Sequence, residues 1–199
     1  MNAHTNNPAH EHRILIAGFG GQGILSLGKL LCNAAISENA NATYMPSYGT
    51  EVRGGTCNCH LVISLDEIFS PYVEKADFLI ILNQMSFKRF NPILAPDGLL
   101  MYDSSMVDVP DDATIDTQTT VGLPARDLAA EMGNELVANV ILLGGFIGTT
   151  ELCEIDNLEE AVENWLTPNK VDQIEINLQA LHKGVEMAAG GFSPGTSGS

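Results

Sequence analysis

The chain has 199 residues, 45% of them hydrophobic and 17% charged, enough to hide roughly 70% of its unfolded surface in one core without disulfide or metal staples. Its 9 Lys and Arg stand against 25 Asp and Glu, a net charge of −16, which repels a phosphate backbone and counts against a nucleic-acid partner. Four cysteines, Cys32, Cys57, Cys59 and Cys153, form no CxxC pair, the usage expected in a reducing, cytoplasmic compartment.

Residues 1–12 are polar and lack the charged and apolar regions of a secretory signal, so a mobile leader is expected ahead of one domain over residues 13–187. Ile14 to Ala17 is a short apolar run, the pattern of a strand buried on both faces. It enters Gly18-Phe19-Gly20-Gly21-Gln22-Gly23, after which apolar residues recur at helical spacing from Ile24 to Ala35. Thr43 to Met45 predicts a second short strand ended by Pro46, and a glycine-broken polar loop follows from Ser47 to Gly55.

From Cys57 the pattern alternates, with Cys57, Cys59, Leu61 and Ile63 on one face and Asn58, His60, Val62 and Ser64 on a wetter one. Phe78 to Leu82 and Leu99 to Tyr102 are further apolar strands, separated by a segment with Lys88 and Arg89 and a turn at Ala95-Pro96-Asp97-Gly98. Asp103 to Thr120 predicts a loop or an edge strand. Pro124 to Met132 suits a helix with Pro in its first turn, and Leu136 to Ile147 is apolar nearly all round, a buried helix covered by its own sheet or by another chain. Leu158 to Leu166, with Asp156-Asn157 as its cap and Pro168 beyond its end, and Val171 to Met187 are amphipathic. Residues 188–199 predict a disordered tail. The longest nearly apolar run, Leu136 to Gly148, holds 13 residues against about 20 for a bilayer span, so no membrane segment is expected. The fold class is therefore α/β, a single-domain layered sheet with a Rossmann-like βα start and a helical C-terminal third.

Two segments carry candidate chemistry. Gly18, Gly20 and Gly23 match GxGxxG between a strand and a helix, where bare amides can hold a phosphate at the helix N-terminus. A dinucleotide fold also needs an acidic residue at the end of the second strand, yet that end reads Tyr44-Met45-Pro46-Ser47, and Glu38 falls at the helix end. The alternative is that the glycines serve tight strand-to-helix packing. In the second segment, Ser47 to Gly55, Arg53 offers a planar fork to a phosphate or carboxylate beside Gly54 and Gly55, or else pairs internally with Glu51. The loop is expected at the carboxyl edge of the sheet, beside the glycine turn.

Cys57 and Cys59 supply at most two ligands on one face, with His60 on the other, short of a zinc or iron–sulfur site. No GxSxG elbow, HExxH or Walker motif appears. No catalytic residue and no metal site is expected on this chain. The acidic stretches Asp103 to Asp116 and Glu151 to Glu163 are either solvated faces or a partner surface.

Gly18 to Gly23, followed by Ser47-Tyr48-Gly49-Thr50-Glu51-Val52-Arg53-Gly54-Gly55, resemble the paired signatures of the gamma subunit of 2-oxoacid:ferredoxin oxidoreductases. The resemblance continues through Asn58 to Ser64, Leu82 to Ser86, Leu123 to Ala129 and Ala138 to Gly144. The form Ser47 to Thr56 is most similar to the 2-oxoglutarate branch, with the branched-chain 2-oxoacid branch close to it. Thr50 stands where the family often has Pro, which leaves the loop less stiff. The resemblance implies CoA-dependent oxidative decarboxylation of 2-oxoglutarate to succinyl-CoA and CO2 with reduction of soluble ferredoxin. It implies that thiamine diphosphate, Mg2+ and iron–sulfur clusters reside on companion subunits, the thiamine-binding alpha and beta chains and a ferredoxin-like chain, and that this chain alone binds none of them. The expected contact residues are Gly20, Gly21, Gln22, Gly23, Glu51, Arg53, Gly54 and Gly55, meeting either a CoA phosphate or a neighbouring subunit. An autonomous NAD(P)-binding module and a purely structural scaffold are the competing classes.

Overall fold

The computed structural model describes residues 11–48, 56–110, 113, 118–166 and 170–190. The first apolar run forms β1 (His12–Phe19), with Ile14, Leu15, Ile16 and Ala17 fully buried. Helix α1 (Ile24–Ser37) follows the glycines and buries Leu27, Leu30, Leu31, Ala34 and Ala35. Strands β2 (Asn41–Tyr48), β3 (Thr56–Ser64), β4 (Ala76–Ile81), β5 (Leu94–Asp103) and β6 (Thr119–Leu123) complete a six-stranded sheet in the order β2-β3-β1-β4-β5-β6. β3 runs antiparallel to both β1 and β2, whereas β4, β5 and β6 continue parallel to β1.

Helices α2 (Gln84–Phe90), α3 (Ala125–Glu131), α4 (Ala138–Thr150), α5 (Ile155–Leu166) and α6 (Ile174–Ala189) fill the connections and the C-terminal third. The larger core joins Ile14, Ile16, Leu61 and Ile80 of the sheet to α1, α4, α5 and α6. On the opposite face Leu15, Ala17, Val62, Leu79, Ile81 and Leu100 meet Phe87 of α2 and side chains from connecting segments. Helix α4 is covered by α6 and the sheet of this same chain. A Cβ on Gly144 would meet the Leu181 carbonyl, and one on Gly184 the Ile141 carbonyl, so two backbones touch where both helices have no side chain.

Several boundaries differ from expectation for identifiable reasons. β2 continues through Pro46 to Tyr48, with Pro46 opposite Cys59, because β2 is an edge strand and an edge tolerates a residue with no N–H to donate. The face of β3 expected to be wetter is buried, with Asn58, His60 and Ser64 inside. His60 is satisfied there, its Nδ1 accepting the Val73 N–H at 3.2 Å. Residues 95–98 form an irregularity inside β5, where pairing moves from Ala76–Leu94 to Phe78–Leu99. Helix α5 starts at Ile155, ahead of the expected Asp156-Asn157 cap. Glu38 is what ties its start, accepting the Glu154 N–H at 2.6 Å and the Asn157 side-chain amide at 3.0 Å. The leader up to residue 10, Pro168 and residues 191–199 lie outside the described residues.

Candidate functional site

The glycine turn leaves β1 at the carboxyl edge of the sheet and divides into two jobs. A Cβ on Gly18 would strike the Ile24 and Gln22 side chains, and one on Gly23, at φ +75°, would strike the Asn139 amide. Those two glycines serve close packing, as the structural alternative requires. Gly20 and Gly21, by contrast, have nothing within 4 Å of a built Cβ, and Gly21 holds φ +96°. Their backbone faces open space. Helix α1 begins beside them with no side-chain cap and no acidic residue in its first turn, so its free N–H groups keep their attraction for an anion.

Gln22 fixes this turn. Its Oε1 accepts the Phe19 N–H at 2.6 Å and the Asn83 side-chain amide at 3.0 Å, while its Nε2 donates to the Leu82 carbonyl at 3.1 Å. Asn83 in turn accepts the Ser86 N–H at 2.9 Å and so caps α2. Gln22 is thus a clamp between the ends of β1 and β4, with its polar atoms already engaged.

Beside the clamp lies a cavity of about 220 Å³, whose lining includes Gly21, Gln22, Leu82, Asp103, Arg126 and Asn139. Pockets that swallow a whole cofactor are typically about 300–1,000 Å³, so this one suits a fragment of a ligand. Asp103 ends β5 and is buried; burial pushes its carboxyl above the ordinary range, against the amides of Ser105, Arg126 and Ala125 that favour the charged form. Arg126 pairs with Glu135 at 2.8 Å. Asn139 donates to the Gly23 carbonyl at 3.4 Å, and its Oδ1 is buried without a partner among the described residues. Asp103 stands in no sequence motif, and Asn139 lies in the resembling stretch Ala138 to Gly144 without any local sign of its role; the end of β5 and the start of α4 bring them to the glycine turn.

The second segment falls largely outside the described residues: Glu51, Arg53, Gly54 and Gly55 all lie there. Its flanks are described. Tyr48 pairs with Cys57, and Thr56 pairs with Phe19 at the last position of β1. The segment therefore leaves and re-enters the sheet at the edge that holds the glycine turn. Arg89 of α2 reaches the same edge, donating to the Thr56 hydroxyl at 2.9 Å, a placement that its chain position 33 residues away does not signal.

The dinucleotide alternative loses its geometry. β3 lies between β1 and β2, so the end of β2 is not next to the glycine turn, where a ribose-binding acid belongs. Glu38, the other acidic candidate, is engaged at the start of α5. Cys57 and Cys59 point into the core, and burial drives the Cys59 thiol far up while pushing Cys153 to about 12. Among the described residues no three His, Cys, Asp or Glu side chains gather as a metal site. No helix among them is long and apolar enough to cross a membrane.

A family model for pyruvate ferredoxin/flavodoxin oxidoreductase matches residues 13–187. The chain is 38% identical over 180 residues to ketoisovalerate oxidoreductase subunit VorA of Methanothermobacter thermautotrophicus, covering 89% of this chain and 36% of that one. It is 31% identical over 177 residues to 2-oxoglutarate synthase subunit KorC of Methanocaldococcus jannaschii, covering 88% of this chain and 92% of that one. Among solved structures, the gamma subunit of a keto/oxoacid ferredoxin oxidoreductase from Geobacter sulfurreducens matches with a TM-score of 0.75 at 27% identity, covering 90% of this chain and 99% of that one. The chain spans about a third of the length of the VorA relatives, 36% and 37%.

Proposed function

The chain belongs to the pyruvate ferredoxin/flavodoxin oxidoreductase family as a gamma-type chain, and from that membership we propose that it serves a 2-oxoglutarate:ferredoxin oxidoreductase. The assembly would convert 2-oxoglutarate and CoA to succinyl-CoA and CO2 while reducing soluble ferredoxin. The observation that carries this reading is the match to KorC over nearly the whole of both chains, joined by the form of residues 47–56. A branched-chain 2-oxoacid is the second reading, favoured by the higher identity to VorA.

Of thiamine diphosphate, Mg2+ and iron–sulfur clusters, the metal-bearing groups meet no gathering of three His, Cys, Asp or Glu side chains among the described residues, and the four cysteines are buried. The proposal therefore places those groups on thiamine-binding alpha and beta chains and on a ferredoxin-like chain. For this chain it assigns a supporting contact at the sheet edge. The open backbone at Gly20 and Gly21, positioned by Gln22 and Gly23, would meet a CoA phosphate together with Arg53, with Glu51, Gly54 and Gly55 shaping the approach. A cytoplasmic location accords with four cysteines that form no disulfide, since disulfides persist in oxidising compartments.

The experiment is anaerobic purification of the chain with its companions from its own cells. CoA-dependent ferredoxin reduction is then compared with 2-oxoglutarate and with ketoisovalerate as substrates. Faster reduction with 2-oxoglutarate supports the proposal, and preference for ketoisovalerate moves the chain to the branched-chain reading. A lone chain that saturates with NADH or NADPH overturns both.

A further inference from the structure

The two faces of the sheet are covered unequally. One carries α1, α4, α5 and α6. The other has the 7-residue α2 and connecting segments, among them residues 65–75 between β3 and β4, which contribute Ile68 and Val73 to the core.

Segment 65–75 has no helix or strand, yet it is firmly tied. Asn41 donates to the Asp66 carbonyl at 3.0 Å, and the Asp66 N–H donates to Ser64 Oγ at 3.0 Å. The Tyr72 N–H donates to Ser70 Oγ at 3.3 Å, and the Tyr72 ring stacks on His60 with centroids 4.7 Å apart. On this frame Phe69 is 88% exposed, Leu65 63% and Tyr72 51%. A scattered exposed apolar side chain needs no explanation, but three of them within eight residues of a pinned segment do. An aromatic held out by an ordered frame costs little conformational entropy when a partner covers it, the character of an interface hot spot.

We infer that residues 65–75 are the seat of a companion chain, which receives Phe69 in an apolar socket with a basic rim. Charge selects this occupant, and the argument rests on the subunit role proposed above. The segment itself carries Asp66, Glu67 and Glu74 against Lys75, in a chain of net charge −16. A second copy would bring like charge to like charge, whereas a basic rim is steered in.

The test uses the full chain and the co-purified assembly. Hydrogen exchange of residues 65–75 is compared between the free chain and the complex, and Phe69→Asp and Phe69→Leu are assayed for affinity to the companions. Protection of this segment on assembly is expected. Phe69→Asp should weaken association by about tenfold or more without lowering the melting temperature of the free chain, and Phe69→Leu should retain most of the affinity. Unchanged exchange and unchanged affinity in a complex that still forms would overturn the surface and leave the subunit role standing. Concentration-dependent self-association through Phe69 would replace the companion with a second copy. Failure of any companion to bind the wild-type chain would remove both proposals.

Discussion

Asn83 donates its side-chain amide to Gln22 Oε1 at 3.0 Å, so the glycine turn after β1 and the N-cap of α2 share one acceptor. Gln22→Ala would leave the Phe19 N–H and the Asn83 amide without that partner and would also free the Leu82 carbonyl. Uncompensated polar groups at a partly buried site cost about 1–3 kcal/mol. Gln22→Ala is therefore expected to lower unfolding free energy by about 2 kcal/mol. Urea titration of both proteins measures it, and a change below about 0.5 kcal/mol would remove the clamp from the account.

The four cysteines are free and buried. Burial raises the thiols of Cys32, Cys57, Cys59 and Cys153, and the thiolate is the reactive form. Ellman's reagent at about pH 8 should label almost none of them in the native chain and all four after unfolding. Rapid native labelling of Cys59 would contradict its position against the Ile24 carbonyl, 3.7 Å away.

Much of the fold was legible because β1 and β4 are short apolar runs and α1 keeps helical spacing. What local pattern cannot carry is partnership across the sheet. Nothing in Cys57 to Ser64 announces that this strand inserts antiparallel between β1 and β2, yet that insertion is what separates the end of β2 from the glycine turn. His60 looks wet in the sequence because its cover, Tyr72 and Val73, comes from a later connection. Gly20 to Gly23 were found as a motif, but the motif does not distinguish glycines that permit packing from those that leave backbone open. Asp103, Asn139 and Arg89 reach the edge from distant segments, and no spacing rule connects them to it.

Asp103 makes stability depend on pH in a direction opposite to the usual carboxylate. Its folded value lies above the ordinary 3.8 because burial outweighs the amides that hold it. Between the ordinary and the raised value the folded chain binds more protons than the unfolded one, so this group's contribution is full below about pH 4 and is lost as pH rises through the raised value. Asp103→Asn keeps an oxygen to accept the Ser105 and Arg126 amides and carries no charge. The variant should gain stability over wild type at neutral pH, with the gain shrinking as pH falls towards about 4. Denaturant titrations across that range decide it, and a difference that does not vary with pH would sink the argument.

Gly20 and Gly144 separate function from folding. A Cβ on Gly144 would run into the Leu181 carbonyl where α4 meets α6, and both partners there are backbone, so relief requires moving a helix. Overpacking of this kind costs about 1–3 kcal/mol or more, and Gly144→Ala should lower the melting temperature of the free chain. A Cβ on Gly20 would meet nothing within 4 Å, and Gly20→Ala should melt close to wild type. Any effect of that methyl group then falls on what approaches the turn from outside. If the open backbone meets a CoA phosphate, Gly20→Ala in the purified assembly raises the Michaelis constant for CoA several-fold and leaves that for the 2-oxoacid unchanged. If both constants stay at wild-type values while assembly weakens, the turn faces a neighbouring subunit and the phosphate contact is withdrawn.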